Sequence, residues 1–536
     1  YILLFTIGSG FFMFLTRKTI IVASRKIEYD VRKDFLHSIE QQSASFFTRR
    51  STGALMAHAT NDIAAVREFI GPAVMYSANT ITTFCFAMTL MLRLNPTLTL
   101  YTILPLPLIA LLTFRIGKKV NIAYKNVQQQ YEMLTTVAQE SFSGVRVIRG
   151  YAREESEATA FAASGEEYVS RNMVLARIQS MSMPAMMVLV GCTQIIILIL
   201  GGFFVMHGNA TVGTIAQFFM YINQLIFPIA AIGWVTNIVQ RGAASTARLM
   251  NIFDEKPDIP MDADGVAFTN GDIEFAHVGF TYPYTQIPVL QDISLTIPAK
   301  SSLGVVGAIG TGKSTLVRLL SRLYDIDNGQ LQIGGTDIAA MNVADLRTHI
   351  AVVPQEPFLF SMSIADNIRF ANPELTDEDV AYYARIAELH NEVISFPNGY
   401  DTIIGERGVT LSGGQKLRLA IARALASNPE ILILDDAFSA LDTKTEHTLI
   451  DSILKREEQC TTIVIAHRLS SIQHCDTIIV IDGGRISERG THNELISAKG
   501  YYAKMYEKQQ LESDIDDMPD TTTTETTFSN TLQQQK

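Results

Sequence analysis

From Ile178 to Gln240 the chain runs for 63 positions without a single Asp, Glu, Lys or Arg. A membrane-crossing helix needs about 20 mostly apolar residues. The run therefore holds two spans, with a turn where Gly201, Gly202, Gly208 and Asn209 fall. Three further stretches lack these charges: Tyr1 to Thr16, Phe69 to Leu92, and Leu94 to Phe114. Five spans are expected, at roughly 1–22, 70–92, 95–115, 178–204 and 211–238.

Composition agrees with a membrane protein carrying a soluble domain. Hydrophobic residues make up 47% and charged residues 18%, and the mean hydropathy is +0.17, which excludes a disordered chain and an ordinary soluble enzyme. Residues 1–250 hold 21 Lys and Arg against 13 Asp and Glu, a net +8, and the remainder holds 22 against 41, a net −19. An overall charge of −11 speaks against a nucleic-acid partner. The four cysteines form no CxxC pair and suggest neither metal nor disulfide.

Basic residues set the expected orientation. Arg17, Lys18, Arg25, Lys26, Arg32, Lys33, Arg49 and Arg50 lie between spans one and two, and Arg115, Lys118, Lys119, Lys125, Arg146, Arg149 and Arg153 between spans three and four. Both long connections are expected in the cytoplasm of a cell-membrane protein. Five spans with a cytoplasmic C-terminal domain put Tyr1 outside, and the chain starts without Met or a basic leader. We expect a further span ahead of it and six in the intact protein. The connections are rich in helix formers and read as helices continuing beyond the bilayer, with a solvated juxtamembrane coil as the alternative.

Past Phe253-Asp254-Glu255-Lys256-Pro257 the pattern changes to short β-rich runs alternating with helical segments. That alternation predicts an α/β domain. Its strongest motif is Gly307-Ala308-Ile309-Gly310-Thr311-Gly312-Lys313-Ser314-Thr315, placed between a strand ending at Val306 and an apolar-periodic helix. Glycines there let backbone N–H groups wrap phosphate oxygens at a helix N-terminus. Lys313 is the candidate for the β/γ-phosphates and Ser314 for Mg²⁺. The apolar strand Ile431 to Leu434 ends in Asp435-Asp436. Asp435 is placed to hold the Mg²⁺ shell, and Asp436 to act as base toward the attacking water.

A second anion site opens the helix after Leu411-Ser412-Gly413-Gly414-Gln415. One nucleotide does not readily occupy two such sites in one domain, so this one suits the γ-phosphate held by another subunit. With this motif the chain resembles the ATP-binding cassette (ABC) transporters, whose signature is LSGGQ. The resemblance spans nearly the whole chain and implies an exporter half-transporter that uses ATP and Mg²⁺. Its implied domains are a helical transmembrane domain over 1–250, a linker over 251–270, an α/β nucleotide-binding domain over 271–508, and a disordered tail over 509–536.

Further roles follow from the resemblance. Gln355 matches the Q-loop glutamine, which links Mg²⁺ to the membrane domain. Tyr282 matches the aromatic that stacks on adenine, Ser439 to Asp442 match the D-loop, and His467 matches the switch histidine that contacts the γ-phosphate. Thr52 to Asp62 resemble the region of the first coupling helix, and the second is expected near Val145 to Arg153.

The family places Glu where this chain has Asp436. One methylene fewer retracts the carboxylate by roughly 1–1.5 Å, and misplacement on that scale can cost about a hundredfold in rate. An impaired base beside an intact signature resembles the degenerate-site subunit of heterodimeric bacterial multidrug exporters. The implied partner is a different half-transporter that supplies the catalytic Glu. A homodimeric lipid or peptide exporter and a regulatory ATP-binding subunit are the alternatives. Amphipathic cargo follows from the resemblance. Met181, Met183, Met186, Met187, Phe218, Phe219, Tyr221, Phe227 and Trp234 are candidate lining residues, although such residues also face lipid or neighbouring helices.

Overall fold

A computed structural model describes the chain except residues 262–264, 406–410, 455–459 and 517–536. Side chains at 106, 109, 110, 113, 182, 183, 186, 227, 229, 230, 443 and 512–516 are also outside the description. Two compact units emerge: residues 1–40 with 52–255, and residues 41–51 with 256 onward.

The first unit is helical throughout. Helix α1 (Ile2–Glu40) comes first, and α2 (Ala44–Arg49) belongs to the second unit. A continuous rod follows, built of α3 (Thr52–Ala57), a π turn at His58–Asp62, α4 (Ile63–Glu68), a second π turn at Phe69–Ala73, and α5 (Val74–Leu94). Pro72 sits in the second π turn, where its missing N–H disturbs the regular ladder. Then come α6 (Pro96–Ile103), α7 (Leu106–Ser143), α8 (Val145–Gly150), α9 (Glu154–Met206) and α10 (Val212–Phe253). At 53 residues, α9 is about 80 Å long by its rise per residue. A hydrocarbon core is only about 30 Å thick. The long connections are thus helical extensions, and α7 packs along α9.

Three of the described helical segments are long and apolar enough to cross a membrane: Ile2–Glu40, Met187–Met206 and Val212–Phe253. The stretch at 70–92 is helical, but Ser77, Asn79, Thr80, Thr82, Thr83 and Thr89 dilute its hydropathy. The stretch at 95–115 divides at Leu104-Pro105 between α6 and α7. The turn before α6 forms where the sequence places it, while α9 continues through Gly201 and Gly202 and the second turn is confined to residues 207–211. Asn95 caps α6 by accepting from the Leu98 amide at 2.9 Å, and its own amide reaches the Asn209 carbonyl at 3.4 Å in the turn before α10.

Polar clamps join α1, the rod and α10. Glu28 of α1 accepts from Arg25 and Arg32 and lies 3.5 Å from Arg67 Nε of α4. Glu68 pairs with Arg241 of α10. Asp62, 7% exposed, accepts from Ser245 at 2.8 Å and from both arms of Arg248, and its other neighbour is His58 Nδ1 at 2.6 Å.

The second unit holds helices α11 (Lys313–Leu320), α12 (Val343–His349), α13 (Ile364–Arg369), α14 (Asp377–Ile386), α15 (His390–Val393), α16 (Gly413–Ala426), α17 (Thr443–Leu454), α18 (His492–Ala498) and α19 (Tyr501–Asp516), and two sheets. Strands β1 (Ile273–Phe280), β2 (Leu290–Ile297), β4 (Asn328–Ile333) and β5 (Thr336–Asp337) form an antiparallel sheet in the order β2-β1-β4-β5. The other sheet is ordered β10-β9-β3-β8-β7-β6. It comprises β3 (Ser302–Val306), β6 (Ile350–Val353), β7 (Ile431–Asp435), β8 (Thr461–Ile465), β9 (Thr477–Asp482) and β10 (Arg485–Gly490). All pairs there are parallel except β9 with β10. Strands β3 and β8 are buried along their whole length, which explains why they are apolar after Ser302 and after Thr461-Thr462.

Two expectations need correction. The short helix seated in the second unit is α2, not the Thr52–Asp62 segment, which continues the rod of the first. Phe46 is 1% exposed, Ser43 accepts from the Ile259 amide at 3.0 Å, and Ser45 donates to Asp258. The sequence signal was the apolar pair Phe46-Phe47 inside an otherwise polar stretch. The boundary at 508 also shifts, because helix α19 (Tyr501–Asp516) runs eight residues into the segment read as tail. Tyr502, Met505 and Tyr506 pack the first turns of that helix on the core. Residues 517–536 of that segment lie outside the described residues.

Candidate active site

The carboxyl ends of parallel strands are where open α/β sheets bind ligands, and the candidate residues gather there. Four neighbouring strands, β3, β8, β7 and β6, each deliver one element. The phosphate loop follows Val306, His467 follows Ile465, Asp435-Asp436 close β7, and Gln355 follows Val353.

The loop from Gly307 opens helix α11 (Lys313–Leu320). Gly312 has φ 102°, and a Cβ there would lie 2.7 Å from Leu290 Cδ2, so backbone and neighbours both demand glycine. Thr311 Oγ1 donates to the Ala308 carbonyl at 3.0 Å, while Ile309 projects outward at 90% exposure. Lys313 is buried, and its Nζ donates to the carbonyls of Gly307 at 2.9 Å and Ala308 at 2.8 Å. Burial lowers its pKa, against the opposing pull of Asp435 and Asp436.

Ser314 Oγ donates to Asp435 Oδ1 at 3.1 Å. Burial raises the pKa of Asp435; the Ser314 bond opposes that and the charge of Asp436 adds to it. A hydroxyl and a desolvated carboxylate so close are hard oxygen donors that fit Mg²⁺, whose charge would offset the desolvation and the repulsion from Asp436. Asp436 is 8% exposed and adopts φ 52°, a left-handed conformation that Asp tolerates better than most residues. Its amide donates to the Ile465 carbonyl at 2.8 Å, and its Oδ2 accepts from Gln355 Nε2 at 3.0 Å. Ser439 Oγ donates to the Asp436 carbonyl at 3.1 Å. The phosphate loop, Asp435, Asp436, Gln355 and Ser439 thus form one connected set. His467 is exposed.

The Tyr282 hydroxyl accepts from Arg318 Nη1 at 3.0 Å and shares a hydrogen bond with Thr315 Oγ1 at 3.0 Å. Tyr284 stacks on it at 5.4 Å and 19°. Sequence reasoning missed Tyr284, whose ring is the more exposed of the pair.

The signature residues border this set, and Gly413 shares a cleft with Gln355 and Ser439. Ser412 caps α16 (Gly413–Ala426) by accepting from the Gln415 amide at 3.2 Å, and Gln415 Oε1 accepts in return from the Ser412 amide at 2.9 Å. Gln415 Nε2 also donates to Glu392 at 2.7 Å, and Leu411 is buried beneath. A Cβ on Gly414 would lie 3.2 Å from the Ala440 carbonyl, so the signature rests on the D-loop. Asp442 caps α17 (Thr443–Leu454) through the Thr445 amide at 2.9 Å, which lowers its pKa.

Of the candidate cargo residues, Phe218 is fully buried with Met91, Leu98, Ile197 and Leu225 and is part of the helical core. Trp234 packs edge-on against Tyr76 of α5 at 4.9 Å. Nearby, Thr80, Ile81, Phe84, Cys85, Pro228 and Ile232 line an apolar cavity of about 320 Å³. The side chains of Met183, Met186 and Phe227 lie outside the described residues.

Comparison with known proteins accounts for both units. Residues 1–229 match the ABC transporter transmembrane region and residues 290–439 the ABC transporter domain. The fold matches a bacterial Atm1-family ABC exporter solved with ATP bound, at a TM-score of 0.79 and 27% identity, over 95% of this chain and 90% of that one. The chain belongs to the ABC exporters. This exporter is 35% identical to the multidrug resistance-like ATP-binding protein MdlA of Escherichia coli over 95% of its length and 86% of that protein's. It is 37% identical to the probable multidrug resistance ABC transporter YheI of Bacillus subtilis over 90% and 83%. It is 34% identical to an ATP-dependent lipid A-core flippase of Syntrophus aciditrophicus over 92% and 82%. The exporter fuses a helical transmembrane domain to an α/β ATPase domain that binds ATP.

Proposed function

We propose that the exporter drives amphipathic compounds out across the cytoplasmic membrane, with its ATPase domain in the cytoplasm, as one half of a heterodimer. The observation that carries this reading is Asp436, a short carboxylate on the β7 end held by Gln355, in a chain whose signature motif is intact. Relatives named for multidrug resistance and for lipid A-core flipping support amphipathic cargo.

ATP is held between the phosphate loop of one subunit and the signature of the other. Lys313 and the loop amides bind the phosphates, the Tyr282–Tyr284 pair stacks on adenine, and His467 contacts the γ-phosphate. Ser314, Asp435 and Gln355 would hold Mg²⁺, which would supply charge neutralisation at the phosphates. Asp436 accepts the proton of the attacking water from a retracted position and does so slowly. This chain's Ser412 to Gln415, with Ser439 and Asp442, completes a faster site whose base is the partner's. Closure of the two ATPase domains favours the outward state, which must bind cargo more weakly than the inward one. The charge-free cavity at Phe84 and Pro228 takes apolar portions of the cargo.

Inside-out vesicles containing the exporter and its candidate partner test this. ATP should concentrate a fluorescent amphipathic cation inside them, and Lys313→Ala should lower the uptake. ATP binding without accumulation would instead leave a regulatory subunit.

A further inference from the structure

The loop that carries His467 is gripped from two sides. On one side is Glu446 of α17, 1% exposed, which accepts from Arg468 Nη1 at 3.1 Å, from Ser470 at 3.4 Å and from Ser471. All three donors follow the histidine. On the other side is Gln509 of α19. Its Nε2 donates to the carbonyl of His467 at 2.7 Å, and its Oε1 accepts from the amide of Leu469 at 2.9 Å. One side-chain amide therefore bridges the peptide groups on either side of Arg468. Holding the His467 carbonyl fixes the rotation of the very residue whose ring is to meet the γ-phosphate.

Gln509 can do this because α19 is firmly seated. Tyr502, Met505 and Tyr506 pack on the ATPase core, and Gln509 continues the same face at i, i+3, i+4 and i+7. Tyr502 is fully buried, and its hydroxyl bonds His492 Nδ1 at 2.8 Å. Glu488 accepts from the amides of Tyr501 and Tyr502 at the start of the helix. The donor and acceptor of Gln509 are thus presented from a rigid element to two backbone groups of a loop.

We infer that Gln509 is a positioning residue for ATP hydrolysis, acting through the backbone of the switch loop to set the orientation of His467. The inference rests on the role of His467 given above. It makes the C-terminal helix a working part of the ATPase site.

The test uses the full-length chain in lipid nanodiscs, carrying Asp436→Glu so that turnover is measurable, with Gln509→Ala, Gln509→Glu and His467→Ala compared. Gln509→Ala should lower kcat about tenfold, a loss in keeping with loosened positioning. KM should stay within about twofold and the thermal midpoint within about 2 °C, while amide exchange at Leu469 speeds up. Gln509→Glu keeps the acceptor for Leu469 but sets a carboxylate against the His467 carbonyl. It should lose kcat while the Leu469 amide stays protected. Unchanged kcat in Gln509→Ala, with His467→Ala inactive, overturns the inference and leaves the site assignment intact. Parallel loss of kcat, KM and thermal midpoint reduces Gln509 to a structural contact and also overturns it. Full turnover in His467→Ala removes the switch assignment itself, and the inference falls with it.

Discussion

The amide of Gln355 donates to the carboxylate of Asp436 across 3.0 Å. These residues leave the ends of adjacent strands β6 and β7, so the contact ties the loop after one strand to the candidate base on the next. Replacing Gln355 by Glu would bring a second carboxylate to that distance. Two such groups cannot both ionise freely, and one takes up a proton. We expect Gln355→Glu to lower ATP turnover at pH 7 at least tenfold, with the loss deepening toward pH 5.5 and easing toward pH 8.5 in a pH–rate profile, as alkali frees the Asp436 base.

Asp62 gives the helical unit a separable electrostatic clamp. It precedes the span at 70–92. Burial alone would raise its pKa, yet hydrogen bonds from Arg248, His58 and Ser245 outweigh that and bring it to about 2. Asp62→Ala strips Ser245 and Arg248 of a shared acceptor, a cost of about 1–3 kcal/mol. A lowered apparent unfolding midpoint should follow, and Asp62→Ala with Arg248→Ala should be less than additive. Because the folded pKa is depressed, this contribution is complete above about pH 4 and is lost only as pH falls toward 2.

Helix α10 approaches the rod closely at Gly242. A Cβ there would sit 2.5 Å from Phe69 Cβ and 3.4 Å from the Ala65 carbonyl. The backbones must separate to admit a methyl group, and overpacking of this kind costs about 1–3 kcal/mol. Gly242→Ala should lower the thermal midpoint, and Gly233→Ala, with nothing within 4 Å, should not.

The seat of α19 should respond to acid. Burial, with the neighbouring His474, holds the His492 imidazole below its ordinary pKa of 6.5. The neutral ring bonds the Tyr502 hydroxyl through Nδ1 at 2.8 Å while Tyr506 lies edge-on at 5.1 Å. The unfolded chain takes up a proton more readily than the folded one, so the stabilisation is complete above about pH 6.5 and is lost as pH falls below it. Amide exchange in residues 501–511 should rise between pH 7 and 5.5, and His492→Gln should flatten that dependence.

Much of the ATPase unit was legible because its signals are local. Apolar runs mark buried parallel strands, the glycines of the phosphate loop directly follow one of them, and those of the signature open a helix. Asp435 and Asp436 could be placed for the same reason, and Gln355 only through the resemblance to the family. The role of Gln509 was not legible, since it depends on a helix meeting a loop more than 40 residues earlier in a stretch of polar composition. The seating of α2 was hidden likewise, because Ser43 and Ser45 find their partners more than 200 residues away. In the helical unit, polar residues within 70–92 blurred a helix that the charge-free run alone had indicated.

Mg-ATPase turnover of the wild-type chain alone in lipid, measured beside Asp436→Glu, addresses the proposed division of labour most directly. The left-handed backbone at Asp436 accepts Glu at about 1 kcal/mol, so the variant should fold. A nearly silent wild type and a gain of tenfold or more with Glu would establish Asp436 as a weak base and require a catalytic partner. Brisk turnover by the wild type, little changed by the substitution, would contradict the heterodimer and leave a self-sufficient homodimer.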